Sequence, residues 1–119
     1  MELKGANQDL LLRLMSAASL RAEAIAGNLA NQNVPGYKRQ VVRFEEQLVE
    51  AMQSPGRDVS RVAVEMTEDT ETPSRADGNN VVAESEQSAM RENLIRFQLY
   101  ANILEGNTRL LEAAINGDR

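Results

Sequence analysis

Leu11-Leu12-Arg13-Leu14-Met15-Ser16-Ala17-Ala18-Ser19-Leu20-Arg21-Ala22-Glu23-Ala24-Ile25-Ala26-Gly27-Asn28-Leu29-Ala30-Asn31 decides the fold. Within it Leu11, Met15, Ala18, Ala22, Ile25 and Leu29 recur at alternating spacings of four and three, the heptad seam of a helix that packs along a partner helix. The side chains grow small toward the middle, at Ala17, Ala18, Ala22, Ala24 and Ala26, so a partner backbone can approach closely there. A helix from about Asp9 to Asn31 would be roughly 36 Å long.

The partner lies at the other end of the chain. From Ala83 to Asn116, Met90, Leu94, Phe97, Ala101, Leu104, Leu111 and Ile115 fall on one seam, with Thr108 in its one polar slot and Gly117 placed to stop the helix. Beside that seam runs a second stripe, Ile95, Leu99, Ile103, Gly106 and Leu110, which makes the apolar arc wider than one neighbouring helix can cover. Either a third segment of this chain covers the stripe, or neighbouring molecules do.

Between the helices, Val34-Pro35-Gly36-Tyr37 reads as a turn: proline drives the preceding residue out of helical geometry and glycine accepts a positive φ. Phe44, Leu48 and Met52 then recur every four residues, a short amphipathic helix expected to pack on the C-terminal helix where the first does not reach. Residues 54–80 are rich in Pro, Gly, Ser, Thr and acid, with Val62-Ala63-Val64 the only strand-like patch, and read as a loop or small β-hairpin. Seven acidic residues between Glu65 and Glu86 face Arg75 alone, a block read as solvated surface.

The expected fold class is therefore all-α in the main: long N- and C-terminal helices paired antiparallel as a coiled-coil-like hairpin. Residues 1–33 form the N-terminal heptad helix, 34–53 the turn and short amphipathic segment, 54–80 the polar acidic loop and 81–119 the C-terminal heptad helix. At 119 residues one structural unit is expected.

Composition removes several classes of function. The formal charge of −5 argues against a nucleic-acid partner, whose phosphates call for Lys and Arg. Cys and His are both absent, which removes thiol chemistry, soft metal sites and the commonest general base. Glu45-Glu46 and Glu68-Asp69 are adjacent in sequence, so their side chains diverge and do not converge on one substrate atom. No catalytic, cofactor-binding or metal site is expected. No run approaches the roughly 20 apolar residues of a membrane span, and Leu10–Leu20 is broken by Arg13 and lacks a basic leader, so no cleaved signal peptide is expected.

At the end of the first seam stands Asn28-Leu29-Ala30-Asn31-Gln32-Asn33-Val34-Pro35-Gly36-Tyr37. Asn28 and Asn31 are placed to satisfy unpaired carbonyls at a helix end, and Pro35-Gly36 reverses the chain. This string resembles the N-terminal signature of the flagellar rod and hook axial proteins, in which a heptad helix closes on Asn-apolar-small-Asn before a Pro-Gly-Tyr turn. Val34 departs from the Thr or Ser common there. Asp77-Gly78-Asn79-Asn80-Val81 and the following Glu84, Glu86, Met90 and Glu92–Tyr100 are similar to the C-terminal helix of the short proximal rod members, two of which remain alternatives. The longer members insert large β-rich domains between the helices, and this chain has no room for one.

The resemblance implies a non-enzymatic subunit of the proximal rod that polymerises through its terminal helices into a tubular drive shaft and export channel. Asn28, Leu29, Ala30, Asn31, Pro35, Gly36 and Tyr37 would be the family motif. The two seams would pair the helices, and Ile95, Leu99, Ile103 and Leu110 would form the assembly stripe. Implied partners are copies of itself, other rod proteins, the adaptor joining rod to membrane ring, and the flagellar type III export gate. The implied location is the basal-body rod in the periplasmic space. The reading from another class is a cytosolic helical adaptor or chaperone that binds a partner helix in its apolar groove.

Overall fold

The computed structural model describes residues 2–56 and 58–116; side chains are described from Asn7 onward, Leu110 and Leu111 excepted. Gly117 and its expected helix stop lie outside the described residues. In chain order come α1 (Glu2–Ala30), β1 (Gln40–Val41), α2 (Phe44–Gln53), a 3-10 turn (Val59–Arg61), β2 (Thr67–Glu68) and α3 (Ala83–Asn116). The chain is mainly helical, as its periodicity implies.

α1 and α3 lie antiparallel along each other: Asn28 of α1 bonds to Glu86 of α3, and Ala18 to Asn93. The molecule measures 68 × 32 × 15 Å, longer than either helix at about 44 and 51 Å, and its shortest dimension is little more than one helix thick. α1 begins at Glu2, earlier than its heptad seam suggests. Its alanine-rich stretch has high helix propensity and costs little side-chain entropy. On α3, Glu84 and Glu86 sit in the first turn, where the helix dipole favours negative charge. The exposed pairs Glu92–Arg96 and Glu105–Arg109 support its surface at i, i+4 spacing.

The apolar core lies on the other side of α1. Ala17, Val42, Phe44 and Leu48 are buried together, with Leu10, Leu14, Leu20, Val59, Val62, Val64 and Met66 packed around them. The short helix α2 thus docks on α1 and not, as its pattern suggested, on the C-terminal helix. It buries Phe44, Leu48 and Ala51, so the repeat turns at Ala51 and leaves Met52 67% exposed. Arg13 lies over the Phe44 ring, 5.2 Å from its centroid, and donates hydrogen bonds to the Val59 and Val62 carbonyls. One side chain so holds the 3-10 turn and the aromatic ring to α1.

The middle segment differs from a local hairpin. Val62 and Val64 are half-buried core residues outside any strand. The only strand pairing among the described residues is antiparallel and long-range, Gln40 opposite Glu68 and Val41 opposite Thr67. That two-rung ribbon draws residues 62–80 back over the end of α1.

Candidate functional site

The Asn-rich motif and the segment before α3 close on each other in a polar clasp. Asn28 is fully buried, and its carboxamide works outward from the helix end. Its Oδ1 accepts from the Gln40 amide at 2.8 Å and from the Tyr37 hydroxyl at 3.1 Å. Its Nδ2 donates to the Gln40 carbonyl at 2.9 Å and to Glu86 at 3.2 Å. Capping of the kind foreseen for both asparagines is found at Asn31, whose Nδ2 donates to the Gly27 carbonyl at 2.8 Å.

The other free carbonyls at the end of α1 are satisfied from a distant segment. Asn79 Nδ2 donates to the carbonyls of Asn31 and Val34, each at 2.9 Å, and Arg75 donates to that of Gln32 at 2.7 Å. Asn80 Oδ1 accepts from the Arg39 amide at 2.7 Å, while its Nδ2 donates to the Asp69 carbonyl at 3.2 Å. Gly36 and Gly78 take φ of +78° and +86°, values that favour glycine. The Gly36 amide donates to the Asp77 carbonyl at 2.8 Å, so the two turns interlock.

At the centre is Arg39. Its Nε donates to Glu86 at 2.7 Å and its Nη1 to Asp69 at 2.6 Å, both carboxylates being 1% exposed. Burial penalises the Asp69 carboxylate. The Thr72 hydroxyl, Arg39 and the amides of Glu71 and Thr72 outweigh that penalty and hold its carboxyl well below the usual range. Every buried polar side-chain atom among the described residues has a partner, as such a network requires to be stable. Arg21 forms a second node: it pairs with Glu45, donates to the Val42 carbonyl at 2.9 Å and donates to Asn93 Oδ1 at 3.1 Å. Asn93 in turn donates to the Ala18 carbonyl at 2.7 Å.

These nodes change the expected seam. On α1, Leu11, Ala18 and Ile25 are buried and Met15, Ala22 and Leu29 half-buried. On α3, the buried residues are polar, Glu86 and Asn93, one heptad apart, flanked by half-buried Met90, Ala101 and Leu104. Leu94, Phe97 and Ile115 are not brought into the pair: they are 59%, 40% and 64% exposed. The inner face is turned toward Asn93 because its amide finds a carbonyl and a guanidinium on α1. Of the second stripe, Ile95, Leu99 and Ile103 are all exposed, and Leu110, like Leu111 of the seam, lies outside the described side chains.

Sequence reasoning missed Arg39, Asp69, Glu86, Asn93 and Arg21. The acidic block looked solvated as a whole, whereas two of its members are the best-buried carboxylates described. The available signal was the turn string Asp77-Gly78-Asn79-Asn80, whose asparagine side chains donate to carbonyls of distant segments as well as serving the turn.

A helix pair locked by a polar turn, with exposed apolar residues along α3, is built to pack against neighbouring molecules. Residues 15–38, from mid α1 through the Pro-Gly turn, match the family model described as flagella basal body rod protein. The flagellar basal body rod protein FlgB of Escherichia coli K12 is 31% identical over 85% of this chain and 89% of its own length. FlgB of Borrelia hermsii is 30% identical over 80% and 84%, and FlgB of Bacillus subtilis 26% identical over 88% and 89%. The chain belongs to the flagellar basal body rod protein family, whose members are structural subunits and not enzymes. Its place is the basal-body rod, where it assembles with other rod proteins, and no helix among the described residues is long and apolar enough to cross a membrane.

Proposed function

We propose that this subunit enters the wall of the proximal rod through the outward face of α3, while the clasp holds its two terminal helices as one unit. The observation that carries this is the exposure of Ile95, Leu99 and Ile103, which recur every four residues along α3, from 42% at Ile103 to 70% at Ile95. Exposed apolar surface of that kind marks an interaction site. At about 100° per residue, Leu94 and Ile103 project to roughly opposite flanks of α3, so two neighbouring helices are needed to cover them. The heptad positions Leu11, Met15, Ala18, Ala22, Ile25 and Leu29, with Met90, Ala101 and Leu104, serve as the pairing seam, and Ile95, Leu99, Ile103 and Leu110 as the assembly stripe.

The family resemblance supports further partners: copies of itself, the adaptor joining rod to membrane ring, and the type III export gate, through which the chain would pass to reach the periplasmic rod. Leu99→Asp tests the assembly role. The expected result is a soluble, helical chain that fails to restore motility to cells lacking the native subunit. Normal basal bodies built with the Leu99→Asp variant would refute the assigned surface.

A further inference from the structure

We infer that Arg39, held between Asp69 and Glu86, is a register lock that fixes the axial position of α3 against α1. Six of the seven largest fully buried side chains belong to the clasp: Glu86, Val81, Asn28, Asn79, Asn80 and Asp69. Beyond Asn93, by contrast, no described side chain of α3 is buried, and the stretch of α1 that precedes Ala18 offers only apolar Leu11 and Met15 along the seam. Apolar contact between such surfaces is non-directional, so a slip of one residue, about 1.5 Å, meets little resistance there.

The clasp responds differently. Hydrogen bonds weaken steeply with distance and angle, and Arg39 presents two edges of one planar guanidinium to two carboxylates, at 2.7 and 2.6 Å. Asp69 is tied to the ribbon and to Thr72, and Glu86 also accepts from Asn28 of α1. An axial shift of α3 carries Glu86 away from both Arg39 and Asn28 and leaves a buried carboxylate unpaired, which is costly. Register is therefore set by buried polar contacts, those of Arg39 and Glu86 at this end with Asn93 on Ala18 and Arg21 one heptad further along, and not by the apolar seam. For a rod subunit, and only for this use does the inference rest on the proposed function, the lock delivers the outward stripe to its neighbours at one height.

The chain contains no cysteine, so spin labels can be placed without background. Ser19→Cys on α1 and Gln98→Cys on α3 are both at exposed positions. Pulsed electron spin measurement on the purified full chain is expected to give one narrow distance distribution with Arg39 present. With Arg39→Met the distribution is expected to broaden or split, with components displaced in steps of about 1.5 Å per residue and about 5 Å per turn, while circular dichroism reports both helices intact. Arg39→Lys keeps charge and reach but lacks the rigid fork, so it is expected to broaden the distribution too, and it decides the matter if Arg39→Met loses helix. An unchanged narrow distribution in the folded Arg39 variants overturns the lock. Because this reading is taken on the unassembled chain, its failure would leave the Leu99→Asp assembly test untouched.

Discussion

Gly36 and Gly78 sit back to back: a β-carbon added at Gly78 would lie 3.2 Å from the Gly36 α-carbon and 3.5 Å from its nitrogen. Gly36 ends the first arm of the molecule and Gly78 precedes the second, so this close approach is where the two ends of the fold are fitted together. The two positions differ in what they tolerate. At Gly36 a β-carbon would meet open space, so Gly36→Ala is expected to cost only the positive-φ strain, about 1 kcal/mol. Gly78→Ala adds a backbone clash and is expected to cost about 2–3 kcal/mol. Urea unfolding of both variants gives the order, and equal losses would contradict the interlock.

Arg39→Met should destabilise the chain by about 3 kcal/mol at neutral pH, because it leaves buried Glu86 without a guanidinium and Asp69 with only the more distant Arg43, at 3.8 Å. Phe44→Ala, which empties the centre of the apolar core, should cost about 3–5 kcal/mol. Comparable losses in denaturant melts would establish that the polar clasp and the apolar core hold the fold to a similar degree. A negligible effect of Arg39→Met would show that the clasp carries no such weight.

Acid should weaken the clasp in a defined direction. The folded Asp69 carboxyl lies well below the usual carboxylate range, so its contribution to stability is complete above about pH 4, the value of an unfolded Asp. It is lost as pH falls below that. Asp58 and Asp77 are also held low, by hydrogen bonds from Ser60 and from the Asn79 amide, but both are exposed and add little. Midpoints measured from pH 6 down to pH 2 should fall less steeply in Asp69→Asn than in the parent chain.

Hydrogen exchange should divide α3 at Asn93. Amides of residues 86–93 lie in the turns anchored by Glu86 and Asn93, whereas residues 94–109 have no buried side chain. In the free chain the first group is expected to exchange at least about tenfold more slowly than the second, since local opening follows the loss of buried contacts. Uniform protection along the whole helix would count against the division.

The two long helices were legible because apolar spacing near 3.5 residues persists over many turns, and the Pro35-Gly36 turn because both residues restrict or free φ in known ways. What faces what was less legible. Leu94 and Phe97 look like better seam residues than Asn93 until the Ala18 carbonyl and Arg21 are placed opposite the amide. Asp69 and Glu86 read as surface charge until Arg39 is brought between them, because their partner is 30 and 47 residues away. Local periodicity records which faces are apolar; it does not record which buried polar groups find partners across the fold.

The Ser54-Pro55-Gly56 bend after α2 stands apart from the clasp, exposed at Pro55 and Gly56, with open space around the Gly56 backbone. Extra chain spliced in at that bend would bulge away from the molecule while Arg39, Asp69 and Glu86 stayed where they are. A fold with its fastening at one place and its slack at another can grow in the middle and keep its ends unchanged.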